Sequence, residues 1–175
     1  MEYLPIIDEE GNVIGREERD TAHEKGLLHM GARVIVKLPD GKIVFQRRSL
    51  TKETNPGMLA VTAGGHVQYG QTSQEGAASE LLEETGLSVA PEHLVYLGKK
   101  YLVNGLIKGM PHRQIVYYYG YRHPGTIDDF KVEEKDGDGF VTYEYEEIQN
   151  FTEDERRRFS ANLFDPDMME FFKNA

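Results

Sequence analysis

A glycine pair, a capped helix and a further glycine follow one another in this chain and restrict how the segment around them can fold. Met58 to Ala63 is a short apolar run that ends at Gly64-Gly65, where the backbone can turn and a ligand can approach closely. Thr72 to Glu75 spells T-S-Q-E, a capping box, and Gly86 stands where a helix C-cap glycine belongs. The pattern predicts a strand that ends at the glycine pair and a helix from about Ser73 to Thr85.

The predicted helix carries three glutamates close together. Glu80 and Glu84 are four residues apart and Glu80 and Glu83 are three apart, so their carboxylates lie on one side of the helix. Like charges at these spacings repel, and the helix contains no Lys or Arg to offset them. A solvated acidic face is one interpretation, and a bound cation is the other. The opposite, buried stripe is predicted to consist of Ala77, Ala78, Leu81 and Leu82.

The flanking segments predict a sheet. Ala32 to Leu38 and Lys42 to Arg47 are apolar or alternating runs joined by Pro39-Asp40-Gly41, which indicates a hairpin, and a second hairpin is expected around Gly11-Asn12. Strands are also predicted at Leu94 to Val103, Gln114 to Arg122 and Phe140 to Tyr143, and helices at Glu146 to Asn150, after Thr152 and after Asp165-Pro166. This order predicts a mixed α/β class, in one domain over residues 1–175 with an N-terminal hairpin extension at 1–30.

Composition narrows the function. The 30 acidic and 20 basic residues give a net charge of −10, which disfavours binding to a nucleic-acid polymer. The chain has no cysteine, so metal binding is left to carboxylates, histidines and carbonyls, and Mg²⁺ or Mn²⁺ are the expected ions. The acidic start and the lack of a long apolar run predict a cytoplasmic protein that does not associate with membranes. Whether it forms a homodimer is left open.

The stretch GGHVQYGQTSQEGAASELLEETGL resembles the Nudix box at residues 65–87, whose pattern is G-x5-E-x7-R-E-U-x-E-E-x-G-U with U aliphatic. The matching positions are Gly65, Glu80, Leu81, Glu83, Glu84, Gly86 and Leu87. The first glutamate of the pattern is Gln71 here and its arginine is Ser79. The resemblance implies a Nudix-type α/β/α sandwich with a mixed β-sheet.

The same resemblance implies an activity and its residues. Glu80, Glu83 and Glu84 would be catalytic and would bind Mg²⁺ or Mn²⁺ together with the carbonyl of Gly64, and Glu80 is our first choice as general base. The substrate would be a small molecule with a diphosphate linkage, either a nucleoside diphosphate or a nucleoside-diphosphate derivative. A non-catalytic Nudix-like module that binds a nucleotide or a partner is the alternative.

Gln71 and Ser79 favour that alternative. We interpret them as the joint loss of one supporting ion pair, since one change removes a negative charge and the other a positive charge. On this hypothesis the metal ligands survive with looser support.

The segments AHEKGLLH, RSLTK and GGHV are similar to the isopentenyl-diphosphate isomerase branch of this superfamily, over roughly residues 3 to 90. By that likeness Arg48 and Lys52 would bind the diphosphate. The isomerase has a catalytic cysteine at the position that Gly64 occupies here, and its second acidic residue aligns with Gln114. Isomerase chemistry is therefore disfavoured.

That likeness also concerns three histidines. His23, His29 and His66 fall where the isomerase branch has metal-binding histidines, but the spacing from His23 to His29 is one residue shorter. We therefore expect ordinary structural or surface histidines.

An acidic segment follows the predicted strands. It contains Glu133 and Glu134, together with Asp128, Asp129, Asp136 and Asp138. One of the two glutamates could supply an extra metal ligand or the general base, although solvated loop charge is the more common role of such residues.

Overall fold

The strands of the protein form one mixed sheet. The structure is a computed structural model that describes residues 2–52, 55–107, 109–132 and 137–175. The strands are β1 (Tyr3–Ile7), β2 (Val13–Glu18), β3 (His29–Lys37), β4 (Ile43–Arg48), β5 (Leu59–Val61), β6 (Ala63–His66), β7 (Val95–Ile107), β8 (Met110–Arg122) and β9 (Gly137–Tyr143). The helices are α1 (Arg19–Glu24), α2 (Ser73–Thr85), α3 (Tyr145–Asn150), α4 (Glu153–Arg156) and α5 (Pro166–Asn174), with 3-10 turns at Pro91–His93 and Ile127–Asp129.

Strand β3 lies at the centre of the sheet. It runs parallel to β8 over its whole length, and it pairs antiparallel with β1, β6 and β4 in turn. Strands β5 and β9 pair with β4, and β7 pairs with β8. Because β3 is paired on both sides, its side chains hold fixed positions on the two faces of the sheet.

Helices cover both faces. On one face Ala32 and Val34 of β3 pack with Leu81 of α2 in one apolar core. On the other, Ile35 of β3 packs with Phe172 of α5 in a second core. Alternate residues of a strand point to opposite faces, so one strand contributes to both cores. The predicted α/β/α sandwich with a mixed sheet is confirmed.

The side chain of Thr62 joins three strands where β5 ends and β6 begins. Its hydroxyl donates to the carbonyl of Val44 at 2.6 Å and accepts from the backbone N–H of Val36 at 2.9 Å. Thr62 is fully buried. Here the chain stops pairing with β4 and starts pairing with β3, and the hydroxyl satisfies two backbone groups that the change of partner would otherwise leave unpaired.

Helix α2 has the bounds that the sequence predicts. Thr72 accepts from the N–H of Glu75, and the Glu75 side chain accepts from the N–H of Thr72, so the capping box is formed. Gly86 ends the helix in the left-handed conformation, with φ of 73°, which glycine adopts at little cost.

The other predicted elements are also present, with shifted ends. The strand that was predicted to end at Gly64-Gly65 is instead two strands, β5 and β6, and β6 continues through both glycines to His66. Both predicted hairpins form, as β1 with β2 and β3 with β4. Strands β7 and β8 extend beyond their predicted limits, and α1 was not predicted at all. Within the described ranges, no helix combines the length and apolar character needed to cross a bilayer.

Candidate active site and a histidine cluster

Glu84 is held against the glycine pair. The backbone N–H of Gly64 donates to Glu84 Oε2 at 3.1 Å, and Glu84 is only 8% exposed. A buried carboxylate is costly unless its oxygens find donors or cations, and the amide of Gly64 is one such donor.

Glu80 lies over Gly65. A Cβ placed on Gly65 would be 2.4 to 2.5 Å from the Glu80 carboxylate carbon and both its oxygens. Such distances are far below ordinary contact, so only glycine leaves room for the carboxylate here. The carboxylates of Glu80 and Glu84 thus converge on the backbone of Gly64 and Gly65. Carboxylate and carbonyl oxygens are the ligands that Mg²⁺ and Mn²⁺ prefer, and this group of oxygens fits such an ion.

The two faces of α2 are less cleanly divided than predicted. Ala77, Ala78 and Leu81 are buried as expected, but the prediction for Leu82 is wrong, because its side chain is 48% exposed. Glu84 is buried instead, through its contact with Gly64. Glu83 is exposed, so the structure brings together Glu80, Glu84 and Gly64 and places Glu83 at the solvent side of the same helix.

The two departures from the box motif contact each other. Gln71 Nε2 donates to Ser79 Oγ at 3.2 Å, and Gln71 Oε1 accepts from the N–H of Gln68 at 3.1 Å. A neutral hydrogen bond therefore links the positions at which the motif has a carboxylate and a guanidinium. This contact supports our interpretation of a jointly lost ion pair.

Arg33 is a neighbour of Gly64 that the sequence analysis missed. Arg33 is the cross-strand partner of Gly64, and a Cβ on Gly64 would lie 2.6 Å from Arg33 Cγ. The guanidinium donates to the hydroxyl of Tyr118 at 3.3 Å. An arginine within the apolar run of β3 was the available signal, because charged residues are rarely buried in a protein unless they are paired.

The other predicted site residues lie on β4, in the turn after it and in the segment after β8. Arg48 ends β4 and is half-buried, and Lys52 lies in the following turn, where its N–H donates to the carbonyl of Ser49. Their role as diphosphate ligands stays a prediction. Glu133, Glu134 and Asp136 lie outside the described residues. Asp129 accepts a hydrogen bond from His123, and Asp128 and Asp138 are exposed.

Four histidines form a cluster beside the glycine pair. They are His23 of α1, His29 of β3, His66 of β6 and His112 of β8, and one ring nitrogen of each lies within 4.8 Å of the others. His23 and His29 are buried, and the other two are half-buried. Three of them stand out in the sequence, but His112 does not, because its place beside them depends on the register of β8 on β3, which the local sequence does not determine.

Burial favours the neutral form of three of these imidazoles. It lowers the pKa of His29 to about 4 and the pKa of His112 to about 3, and it holds the pKa of His66 well below its usual value. Positive charge on one ring would also oppose positive charge on the next. Neutral imidazole has a lone pair that can bind a metal ion.

A family model and similar curated proteins point to the same family. The model of the NUDIX domain matches residues 27–164. An uncharacterized Nudix hydrolase of Clostridium acetobutylicum is 31% identical over 159 residues, which cover 86% of this chain and 73% of that protein. The uncharacterized Nudix hydrolase YfcD of Escherichia coli is 39% identical over 90 residues, and this match spans 51% of the chain and 50% of the relative.

Solved structures share the fold. The crystal structure of DR0079 from Deinococcus radiodurans has a TM-score of 0.66 at 22% identity, with 85% of this chain and 86% of that chain covered. The NUDIX domain of Shewanella oneidensis NrtR, solved in complex with ADP ribose, has a TM-score of 0.53 at 8% identity, with 70% and 77% covered. Identities this low show a common architecture and nothing about substrate.

Proposed function

The chain belongs to the Nudix hydrolase family, whose members act on pyrophosphate bonds, and from this premise we propose that it cleaves a nucleoside diphosphate or a nucleoside-diphosphate derivative with Mg²⁺ or Mn²⁺. One observation carries the proposal. The carboxylates of Glu80 and Glu84 converge on the backbone of Gly64 and Gly65, which is an oxygen-rich site for a hard cation.

The residues divide the work of hydrolysis. Glu80, Glu84 and the carbonyl of Gly64 would hold the ion, and Glu83 would add a carboxylate from the solvent side. Such an ion would supply positive charge to offset the diphosphate and would make water easier to deprotonate. Glu80 accepts the proton of the water that attacks phosphorus, while the bond from that phosphorus to the bridging oxygen breaks.

Basic side chains bind the substrate in this proposal. Arg33 lies across from Gly64, and Arg48 and Lys52 follow in the next strand and turn. Guanidinium and ammonium groups are the usual ligands of phosphate oxygens. In this proposal the three cations would reduce the local repulsion between a diphosphate and a chain whose net charge is −10.

One structural neighbour indicates which substrates to test first. The NrtR domain that shares this fold was solved with ADP ribose, which is a nucleoside diphosphate linked to a sugar. Compounds of that type are therefore the first to test. The cytoplasmic location, the single domain and the absence of a nucleic-acid or membrane partner stay predictions.

The experiment is a substrate panel. The protein is incubated with Mg²⁺ or Mn²⁺ and with nucleoside diphosphates, diphosphate sugars, dinucleotides and isopentenyl diphosphate, and products are identified by mass spectrometry. Hydrolysis in ¹⁸O water should place one heavy oxygen on a product phosphate. Isomerised isopentenyl diphosphate would instead indicate the isomerase reaction, although the chain has no cysteine.

Matched variants test the site. Glu84→Gln should abolish the metal-dependent product, whereas Glu92→Gln, the same change at an exposed position in a 3-10 turn, should leave it unchanged. Nucleotide binding without any product would favour the non-catalytic module, to which the neutral Gln71–Ser79 contact points. Equal loss in both variants would contradict the proposed role of Glu84.

A further inference from the structure

The four histidines come from four separate elements. His23 lies on α1, His29 on β3, His66 on β6 and His112 on β8. Their rings face one another although 89 positions separate the first from the last in the sequence numbering. Titratable rings gathered from such distant segments need a physical reason, because four polar side chains in one half-buried group lose hydration.

The arrangement of the rings is close to a regular tetrahedron. The six distances between ring centroids are 5.3, 5.0, 5.0, 5.1, 5.2 and 5.7 Å. Four points that are nearly equidistant from one another can only stand at the corners of a tetrahedron. The Nε2 atoms of His23 and His66 are 3.1 Å apart, and two ligands of a tetrahedral ion with bonds of about 2.0 Å are separated by about 3.3 Å.

His29 shows which nitrogen is available. Its Nδ1 lies 2.8 Å from the carbonyl oxygen of Leu27, and since that oxygen can only accept, Nδ1 carries the proton. The Nε2 atom of the neutral ring then has a lone pair, and it is buried without a hydrogen-bond partner. A backbone carbonyl that fixes the tautomer in this way is the usual support of a metal-binding histidine.

A hydrogen-bonded cluster without an ion explains less. One bond between His23 and His66 accounts for two nitrogens. It leaves His29 Nε2 and both nitrogens of His112 buried without a partner. Each such atom is costly, whereas one ion at the centre would satisfy a lone pair on every ring.

We propose that His23, His29, His66 and His112 bind one first-row transition-metal ion, of which Zn²⁺ is the best fit, in a closed structural site that fastens α1 to the sheet. Imidazole nitrogens select such ions over Mg²⁺. Four protein ligands in a tetrahedron leave no open position for a substrate, which is the mark of a structural rather than a catalytic site.

The site has a mechanical role. Helix α1 has six residues, and its N-cap residue Glu18 makes no side-chain capping bond. A helix so short is unstable by itself. A ligand on α1 joined to ligands on three strands supplies the missing restraint, so the ion adds to folding stability.

The test uses the full chain and Zn²⁺ alone. Protein dialysed against EDTA is titrated with Zn²⁺ in excess Mg²⁺, and binding should saturate at about one equivalent. The melting temperature should rise by about 5–15 °C at saturation, as expected for tight binding to the folded state only. Co²⁺ in place of Zn²⁺ should give the intense visible absorption of a tetrahedral ion, unchanged by added azide or phosphate.

Variants identify the ligands. His112→Ala should lower Zn²⁺ affinity at least 100-fold and remove the cobalt spectrum, whereas His93→Ala, at an exposed position in a 3-10 turn, should behave as wild type. If His112→Ala does not fold, the wild-type titration still decides. Failure of wild type to bind Zn²⁺, or wild-type binding by His112→Ala, would overturn the site, and a cobalt spectrum that anions shift would overturn its closed nature. Neither readout depends on hydrolysis, so the proposed function can fail independently.

Discussion

Replacing Gly65 with alanine tests the position of Glu80 directly. The new Cβ would lie 2.4 to 2.5 Å from three atoms of the Glu80 carboxylate, and ordinary contact begins at 3.4 Å. The carboxylate must therefore move by about 1 Å, a displacement that can cost on the order of 100-fold in rate when it affects a reacting group. We expect kcat for the metal-dependent hydrolysis to fall about 100-fold.

Stability should change much less than activity. The clash is with the end of a flexible, half-buried side chain, which can swing aside, so unfolding in urea should show a loss of no more than about 1–3 kcal/mol. Gly15→Ala is the matched control, because a Cβ there meets no atom within 4 Å, and it should match wild type in both assays.

A double-mutant cycle completes the test. If Gly65→Ala acts through Glu80, it should have little further effect on the rate in a Glu80→Gln background. Wild-type turnover by Gly65→Ala, or a full 100-fold loss added to that of Glu80→Gln, would refute the claim that the glycine serves to seat this carboxylate.

Three other substitutions address the support of the site, the helix that carries it and the binding of substrate. Gln71→Glu combined with Ser79→Arg replaces a neutral hydrogen bond of 3.2 Å with an ion pair and should raise both Mg²⁺ affinity and turnover; if neither changes, the lost-ion-pair hypothesis is wrong. Thr72→Ala removes the side-chain cap of α2 and should lower the free energy of unfolding by about 1 kcal/mol, and an unchanged urea midpoint would contradict the role of the cap. Lys52→Met should raise KM at nearly constant kcat if the ammonium binds the diphosphate equally in ground and transition states, whereas a pure kcat effect would assign it to the reaction step.

Local chemistry made α2 predictable. Its start follows from the reciprocal bonds of Thr72 and Glu75 and its end from Gly86, and none of these depends on the rest of the chain. Helix α1 was missed for the opposite reason: it has six residues, no side-chain cap bond and no apolar stripe, so its presence depends on packing that the local sequence does not encode.

Tertiary contacts decided the remaining differences. Leu82 was predicted to be buried from helical spacing, but Glu84 takes the inward position because the amide of Gly64 offers it a hydrogen bond. His112 joins the three histidines named from the sequence because the parallel register of β8 on β3 places His29 opposite Gln114. A register between segments so far apart is set by the whole sheet and cannot be inferred from either strand alone.

The hydroxyl of Thr62 has a consequence for how this protein can diversify. The hydroxyl bonds to the backbone of Val36 and Val44 and so fixes where β6 begins. Gly64 lies two residues after Thr62. The backbone of the proposed metal site is thus anchored to the interior of the sheet. Mutations in the loops can therefore accumulate while the proposed site keeps its backbone position, so a change of substrate need not disturb the groups that would bind the metal.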